Sequence, residues 1–280
     1  MTNDVPVTLS SLKADLRNLG VKAGSTLLVH SSLSSLGWVC GGAAAVILAL
    51  EEILGDEGTL VMPTYTEDLS DPSTWRSPPV PESWWETIRK ETPAFQSDLT
   101  PTRQMGVIPE SFRKQNGTLR SSHPQVSFGA RGRNAEIIVG DHSLDFPLGE
   151  GSPLARIYEI DGYVLLLGVT HLNNSSMHLA EYRADYPWKE VVKNGAPVLV
   201  DGERKWVEIE DINGWMYDFD KIGDEFNKGD GVIRGRVGKS DRVWLMRQRP
   251  LVDFAAGWMS RNRREKPAVG GKTTSSEIPS

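Results

Sequence analysis

The sequence has little of what marks several large protein classes. It contains one cysteine, Cys40, in 280 residues, which excludes an internal disulfide and any metal site built from several cysteines. It has no block of Lys and Arg, and its formal net charge is -6, so we expect no nucleic-acid partner. The longest apolar stretch, 43–50, is too short to cross a bilayer, so we expect no membrane partner.

The start of the chain, MTNDVPVTLS, lacks the basic-then-apolar pattern of a secretory signal. We therefore expect a cytoplasmic protein. Its mildly acidic charge suits a small cationic substrate. With 39% hydrophobic residues, the chain is able to bury a large core.

Apolar runs along the chain predict an α/β fold. The runs 26–30 and 59–62 are typical of buried strands, and 43–54 between them has helical character that stops at Gly55. Strand, loop, helix and strand in this order indicate a βαβ unit with parallel pairing. We expect one compact domain, 1–261, with a central mixed, partly parallel sheet flanked by helices.

Three further segments complete the predicted organisation. Residues 63–103 contain seven prolines and three tryptophans and form a predicted long loop excursion with a short helix at 83–90; loops this long are usually functional. The stretch 198–209 alternates as a hairpin does. Residues 262–280 are rich in Lys, Gly, Ser and Thr, which predicts a disordered tail.

A run of small hydroxyl residues follows the first predicted strand. Small side chains let backbone N–H groups approach a ligand, and a following helix adds its positive end, so the run suits phosphate groups. It is neither a Walker loop nor a Gly-x-Gly-x-x-Gly fingerprint, and an ordinary polar turn explains it as well. Its residues are His30, Ser31, Ser32, Leu33, Ser34, Ser35, Leu36 and Gly37.

A second candidate site follows the predicted strand at 161–169. His178 and Glu181 are three residues apart on a helix that begins near Ser175, so they share one face. In the first turn of that helix, the neutral imidazole is favoured and is able to accept a proton. Glu181 then either orients His178 or holds a substrate ammonium. The alternative is a capped helix with a structural histidine.

Two other histidines need separate interpretation. His171, seven residues before His178, raises the possibility of a metal-dependent hydrolase that uses His171, His178 and Glu181, although the His-Glu-x-x-His pattern is absent and we expect no metal. His123 precedes Pro124, which favours extended backbone. It is a candidate substrate contact or a structural hydrogen-bonding group.

Seven segments, in this order, resemble the aminoglycoside 3-N-acetyltransferase family, whose fold differs from that of the GNAT acetyltransferases. The resemblance covers about 8–258, and the order of the segments makes it specific. The matching stretches are 29–37, 58–63, 100–106, 120–124, 148–153 (Leu-Gly-Glu-Gly-Ser-Pro), 164–168 and His178-Leu-Ala-Glu181.

The resemblance implies acetyl-CoA as donor and the 3-amino group of 2-deoxystreptamine in an aminoglycoside as acceptor, an activity that confers antibiotic resistance. It places the donor site on His30 to Gly37, with Met105 and Gly106, and the catalytic pair on His178 and Glu181. An acidic acceptor cleft would include Glu67, Asp68, Asp98 and Asp211. We expect a monomer or a homodimer.

The chain departs from the family pattern on the acceptor side. Tyr217-Asp218-Phe219 stands near where family members often carry a cysteine, and the excursion at 67–97 is rich in Trp and Pro. Another small amine is therefore an alternative acceptor. A non-catalytic nucleotide-binding module that uses the Ser-rich loop is a further alternative.

Overall fold

The computed structural model of the protein describes residues 5–66, 68–76 and 78–266. The strands are β1 (Thr26–Ser31), β2 (Thr59–Pro63), β3 (Leu119–Arg120), β4 (Phe128–Gly132), β5 (Tyr163–Leu167), β6 (Val191–Val200), β7 (Glu203–Ile212), β8 (Val232–Val237) and β9 (Ser240–Arg247). The α-helices are α1 (Leu9–Leu19), α2 (Gly42–Leu54), α3 (Trp85–Glu91), α4 (Val107–Arg113), α5 (Ala135–Val139), α6 (Pro153–Glu159), α7 (Ser176–Arg183), α8 (Phe219–Phe226) and α9 (Gln248–Asn262).

Seven strands of the described ranges form one mixed sheet in the order β3-β4-β2-β1-β5-β9-β8. Its centre is parallel, because β1 pairs in parallel with both β2 and β5. Antiparallel strands flank this centre, with β4 against β2 and β9 against β5. The sheet confirms the predicted α/β class and the predicted pairing of β1 with β2.

Two hydrophobic cores lie on opposite faces of the sheet. Successive side chains of a strand point to opposite faces, and Leu27 and Val29 accordingly pack with α1 and α2 whereas Leu28 packs with residues of α6, α7 and α9. The central strands are buried on both faces, which explains why they read as continuous apolar runs.

The excursion after β2 packs against the hairpin of β6 and β7. Arg204 on β7 donates a hydrogen bond to the carbonyl of Thr92 at 2.9 Å, and the amide of Asp71 donates to Asn194 Oδ1 at 2.9 Å. Asp71 also forms an ion pair with Arg89 on α3 at 2.7 Å. The predicted loop excursion is thus a structured layer over the hairpin.

Several boundaries differ from those predicted. The hairpin spans 191–212 instead of 198–209, because its first strand contains Gly195 and Pro197 and lacks a clean alternation. Strands β4 and β8, which carry glycine and arginine, have no counterpart among the predicted elements. Helix α9 extends to Asn262, and Arg263 of the predicted tail is buried; residues 267–280 of that tail lie outside the described ranges.

No helix within the described ranges has both the length and the apolar character needed to cross a membrane.

Candidate active site

The candidate site lies where the three parallel strands end. In parallel α/β sheets, ligand sites form at the carboxyl ends of the strands. β1 ends at Ser31 and leads into the Ser-rich loop, whereas β5 ends at Leu167 and leads through 168–175 into α7. These two loops touch, since a Cβ at Gly168, where φ is +81°, would overlap Ser35 Oγ.

The first turn of α7 is fixed by groups from two of these strands. The hydroxyl of Tyr65, just after β2, donates to Ser175 Oγ at 2.8 Å. The amide of Ser175 donates to His30 Nε2 on β1 at 3.4 Å. Ser175 is the N-cap residue of α7, so its two contacts set where the helix starts and where His178, in the first turn, is placed.

His178 and Glu181 form a direct pair on α7. His178 Nδ1 lies 2.8 Å from Glu181 Oε2. The side chain of Glu181 is fully buried, whereas that of His178 is 25% exposed. The His178 ring also packs edge-on against Phe219, with 5.0 Å between ring centroids, so its orientation is fixed on two sides.

The second oxygen of Glu181 has its own partners. Glu181 Oε1 accepts hydrogen bonds from the amide of Trp215 at 2.7 Å and from Arg263 Nη1 at 2.8 Å. Burial raises the pKa of Glu181, but the hydrogen bond from His178, the charge of Arg263 and the Trp215 amide outweigh burial and hold that pKa below its usual range. Glu181 is therefore a carboxylate near neutral pH.

This ionised carboxylate determines which nitrogen of His178 carries the proton. A carboxylate only accepts hydrogen bonds, so His178 Nδ1 must be the donor. In the neutral ring, Nε2 then keeps its lone pair. Nε2 has no hydrogen-bond partner in the described ranges and belongs to a partly exposed ring. The arrangement is that of a general base oriented by a carboxylate.

The Ser-rich loop provides hydroxyl groups next to this pair. Ser31 Oγ is buried and has no hydrogen-bond partner within the described part of the chain. Ser32 and Ser34 share a solvent-exposed hydroxyl contact of 3.1 Å. Gly37 ends the loop with φ of +84°. The predicted contribution of a following helix is not seen directly here, because α2 begins only at Gly42.

The other residues predicted to bind the acetyl donor differ in their surroundings. The side chain of His30 is buried, and burial followed by the nearby His178 and His171 lowers its pKa to about 3, so His30 stays neutral. Leu36 belongs to the core on the α1 and α2 side of the sheet. Met105 is half-buried and Gly106 is exposed with φ of +80°, just before α4.

The predicted acidic acceptor residues lie in different surroundings. Asp211, at the end of β7, accepts a hydrogen bond from the hydroxyl of Tyr182 on α7, and burial raises the pKa of Asp211. Asp98 lines a cavity of about 540 Å³ between the excursion and the hairpin tip. Asp68 forms an ion pair with Arg103. Glu67 lies outside the described residues.

His123 is not brought into this site. It is fully buried; its Nδ1 accepts hydrogen bonds from the amides of Gln125 and Val126, both at 3.1 Å, and its Nε2 donates to the carbonyl of Leu144 at 3.2 Å. Burial lowers its pKa to about 4. Both ring nitrogens are therefore used within the protein, and this geometry favours the structural alternative; a substrate contact by His123 stays a prediction.

His171 does not join His178 and Glu181 as a metal ligand. Its ring nitrogens contact Asn227 Oδ1 and Asn174 Nδ2, each at 3.3 Å. It packs under α8, where a Cβ at Gly223 would collide with the ring. No group of three His, Cys, Asp or Glu residues able to hold a metal ion occurs in the residues that the structure covers. The geometry thus gives the hydrolase alternative no support.

Three residues around Glu181 were not predicted as site residues from the sequence. Arg263 follows α9, Trp215 precedes α8 and Tyr182 lies one position after Glu181. Nothing in the local pattern of Arg263 marks it, since its partner Glu181 lies 82 residues earlier. Tyr182 was within reach, because it directly follows the predicted His178–Glu181 face.

Comparison with known proteins adds independent evidence. A family model described as aminoglycoside 3-N-acetyltransferase matches residues 28–260. The SPbeta prophage-derived aminoglycoside N(3')-acetyltransferase-like protein YokD of Bacillus subtilis (strain 168) is 44% identical over 259 residues, 92% of this chain and 94% of that protein. Its crystal structure has a TM-score of 0.90 to this chain, covering 92% of this chain and 95% of that one.

Two further relatives carry more specific names. Aminoglycoside N(3)-acetyltransferase VII of Streptomyces paromomycinus is 35% identical over 285 residues, 96% of this chain and 97% of that protein. A structure of AAC-IIIb in a binary complex with CoASH is 30% identical, with a TM-score of 0.83, covering 94% of this chain and 99% of that one. The fold, the residue order of the site and these matches agree, and the chain belongs to the aminoglycoside 3-N-acetyltransferase family of acyltransferases.

Proposed function

We propose that this protein transfers the acetyl group of acetyl-CoA to an amine of an aminoglycoside, the 3-amino group of 2-deoxystreptamine, with His178 as general base. One observation carries the proposal: His178 Nδ1 lies 2.8 Å from the buried carboxylate of Glu181, so the opposite nitrogen is left with a lone pair on a partly exposed ring.

An amine acceptor needs such a base. An ammonium has no lone pair, so it must lose a proton before it forms a bond to carbon, and a positioned base contributes about 10²–10⁴-fold to the rate. His178 Nε2 accepts that proton, directly or through one water. Glu181 stabilises the imidazolium that results, because its carboxylate already accepts a hydrogen bond from Nδ1.

The donor side lies on the Ser-rich loop. Acetyl-CoA, when bound, supplies the thioester carbonyl that accepts the amine and the thiolate that leaves. The orphaned hydroxyl of Ser31 and the exposed hydroxyls of Ser32 and Ser34 provide hydrogen bonds for such a ligand. Family membership and the CoASH complex of AAC-IIIb support this assignment.

The acceptor side is acidic, as a polycationic substrate requires. Asp211 is linked through the hydroxyl of Tyr182 to the helix that carries His178, and Asp98 and Asp68 lie on the excursion. Acetylation replaces an ammonium with a neutral amide, which removes one charge by which an aminoglycoside binds anionic partners. We propose that this change confers resistance and that the enzyme acts in the cytoplasm.

The test is the His178→Ala variant in a thiol-release assay with acetyl-CoA and an aminoglycoside. We expect kcat to fall by about 10²–10⁴-fold, while CoA still raises the melting temperature of the folded variant. Arg183→Ala is the matched control, because Arg183 lies on the same helix but pairs with the exposed Glu150. A His178→Ala variant with near wild-type kcat would contradict the base assignment.

The acceptor is tested separately with a panel of gentamicin-like and apramycin-like aminoglycosides and simple non-aminoglycoside amines. We expect thiol release with aminoglycosides that carry the 3-amino group and unchanged rates in a chelator. Release with simple amines alone would replace the acceptor by another small amine, and no release with any amine would overturn acetyl transfer.

A further inference from the structure

Arg263 is a buried arginine behind the catalytic pair. It directly follows α9 and lies beyond residues 28–260 that match the family model. Its side chain is only 3% exposed. An arginine is rarely buried to this extent unless it is paired, because removing its charge from water is costly. The groups that Arg263 contacts must therefore compensate for the burial of its charge.

Four of the five N–H groups of this guanidinium make hydrogen bonds. Nη1 donates to Glu181 Oε1 at 2.8 Å. Nε and Nη2 donate to the two oxygens of Asp218 at 2.9 and 2.7 Å, and Nη2 also donates to the carbonyl of Trp215 at 2.6 Å. One side chain thus joins helix α7 to the 215–218 segment that packs over Glu181.

The charges of this cluster balance only when His178 is protonated. Glu181 and Asp218 carry two negative charges and Arg263 one positive charge, so the cluster has a net charge of -1 while His178 is neutral. Burial lowers the pKa of Arg263, but its hydrogen bonds to Asp218 and the charge of Glu181 outweigh burial, so Arg263 stays charged. A proton taken by His178 brings the net charge to zero.

Other titratable groups face Glu181 from the elements around it. They are Tyr182 on α7, Tyr186 and Lys189 after α7, and Asp211 on β7. Lys189 donates to the carbonyls of Tyr182 and Ala184 instead of to Glu181. Arg263 is therefore the cation in the described ranges that contacts the carboxylate directly.

We infer that Arg263 is a positioning residue for the proposed base: it holds Glu181 ionised and fixed, so that His178 keeps its proton on Nδ1 and its lone pair on Nε2. The inference rests on the proposed function. Without the guanidinium, the buried carboxylate of Glu181 and the half-buried carboxylate of Asp218 lose their counter-charge, and Glu181 takes up a proton more readily. A protonated Glu181 donates to Nδ1, which moves the ring proton to Nε2 and removes the base.

Arg263→Met keeps an unbranched apolar side chain and removes the charged guanidinium that lies over the rings of Tyr186 and Trp188. We expect kcat to fall by about 10–100-fold, the range observed when a group that orients a metal-ligating residue is removed. We also expect the acidic limb of the pH–rate profile to move up by about one pH unit, because loss of a nearby cation favours the protonated forms of the His178–Glu181 pair.

Arg263→Lys keeps the charge but not the fork geometry. Its expected acidic limb matches the wild type, with a kcat between those of the wild type and Arg263→Met, because a lysine ammonium does not reproduce the bidentate contact to Asp218. This variant also supplies the test when Arg263→Met does not fold, since a wild-type kcat would then overturn the inference. Arg264→Met is the matched control, because the adjacent Arg264 is exposed and, within the described residues, its guanidinium bonds to a carbonyl, that of Arg261, and to no carboxylate.

The decisive comparison is between pH profiles. A purely structural role lowers the activity of Arg263→Met equally at every pH, and that result would overturn the inference. Nitrogen NMR of the His178 ring gives a second readout that needs no acceptor: the ring proton is expected on Nδ1 in the wild type and on Nε2 in Arg263→Met, and the same tautomer in both proteins overturns the inference. Wild-type enzyme that is inactive with every amine would instead overturn the proposed function.

Discussion

Two histidine clusters of this protein have opposite hydrogen-bond patterns. In the first, His142 Nε2 donates to the carbonyl of Pro147 at 2.7 Å, and His142 Nδ1 accepts from the hydroxyl of Ser121 at 2.9 Å. The neighbouring His123 is equally occupied at both nitrogens. In the second, His178 uses only Nδ1, with Glu181 as partner. We call the first cluster, His123 and His142, closed, because both nitrogens of each ring are bonded. We call the second cluster, His178 with Glu181, open, because Nε2 of His178 remains available for chemistry.

The difference separates structural from chemical histidines in the same way as burial does, since His123 and His142 are buried and His178 is partly exposed. The sequence motif does not separate them, because His123 and His178 both lie in segments that resemble the family. What distinguishes them is the unoccupied nitrogen and the ionised partner behind it. The predictions below alter one cluster at a time.

Glu181→Gln breaks the open cluster. The amide is able to donate to Nδ1, which favours the ring tautomer whose proton sits on Nε2. We expect kcat to fall by about 10²–10³-fold with little change in the KM for acetyl-CoA. Steady-state thiol release measures both values. Glu150→Gln, which alters an exposed partner of Arg183, is the control, and a kcat for Glu181→Gln equal to that control would refute the carboxylate's role.

Ser121→Ala breaks the closed cluster. Its hydroxyl serves both His142 Nδ1 and the amide of Phe128 at 2.9 Å, so its loss leaves two buried polar groups unpaired. We expect the free energy of unfolding to drop by about 2–3 kcal/mol, with kcat unchanged in the folded enzyme. Denaturant titration provides the measurement, and the exposed neighbour Ser122→Ala should change little. A loss of kcat without a loss of stability would place this cluster in the catalytic site.

The stability of the protein at low pH gives a further test of the closed cluster. Burial, followed by the charge of His123, lowers the pKa of His142 to about 3, whereas an unfolded histidine titrates near 6.5. The unfolded state therefore binds more protons below pH 6.5, so this contribution to stability is full above pH 6.5 and falls as the pH drops. At pH 5 the loss is about 2 kcal/mol for this histidine.

The His142→Gln variant isolates the contribution of His142 to the pH dependence of the unfolding free energy. The unfolding free energy of the wild type should decrease between pH 7 and pH 5 by about 2 kcal/mol more than that of the variant. Denaturant titrations at both pH values give the difference, and any overall destabilisation by glutamine cancels in it. Equal decreases for the two proteins would mean that His142 is not the group that resists protonation.

Much of the sheet centre was predictable from the sequence. β1 and β2 are buried on both faces and have continuous apolar sequences, and the helix between them ends at a glycine. The apolar runs and the glycine therefore indicate the same strand, helix and strand. The His178–Glu181 pair was also within reach, since two residues three apart on a helix must share a face.

The remainder depends on contacts between distant segments. β8, with the sequence VIRGRV, is partly exposed at the sheet edge and lacks the apolar run of a central strand. Arg263 stands among Arg261, Arg264 and Lys266, so its composition suggests a solvated tail. Only the folded chain brings its guanidinium to two carboxylates, and no local pattern encodes that pairing.

The place of Arg263 in the chain affects the order in which the protein becomes competent during synthesis. A nascent chain emerges N-terminal end first, so the sheet, the Ser-rich loop and His178 all leave the ribosome before the guanidinium does. Until then Glu181 and Asp218 lack their counter-charge. The enzyme should therefore mature only after α9 has docked, and ribosomal products that stop before residue 263 should accumulate as inactive, protease-sensitive chains.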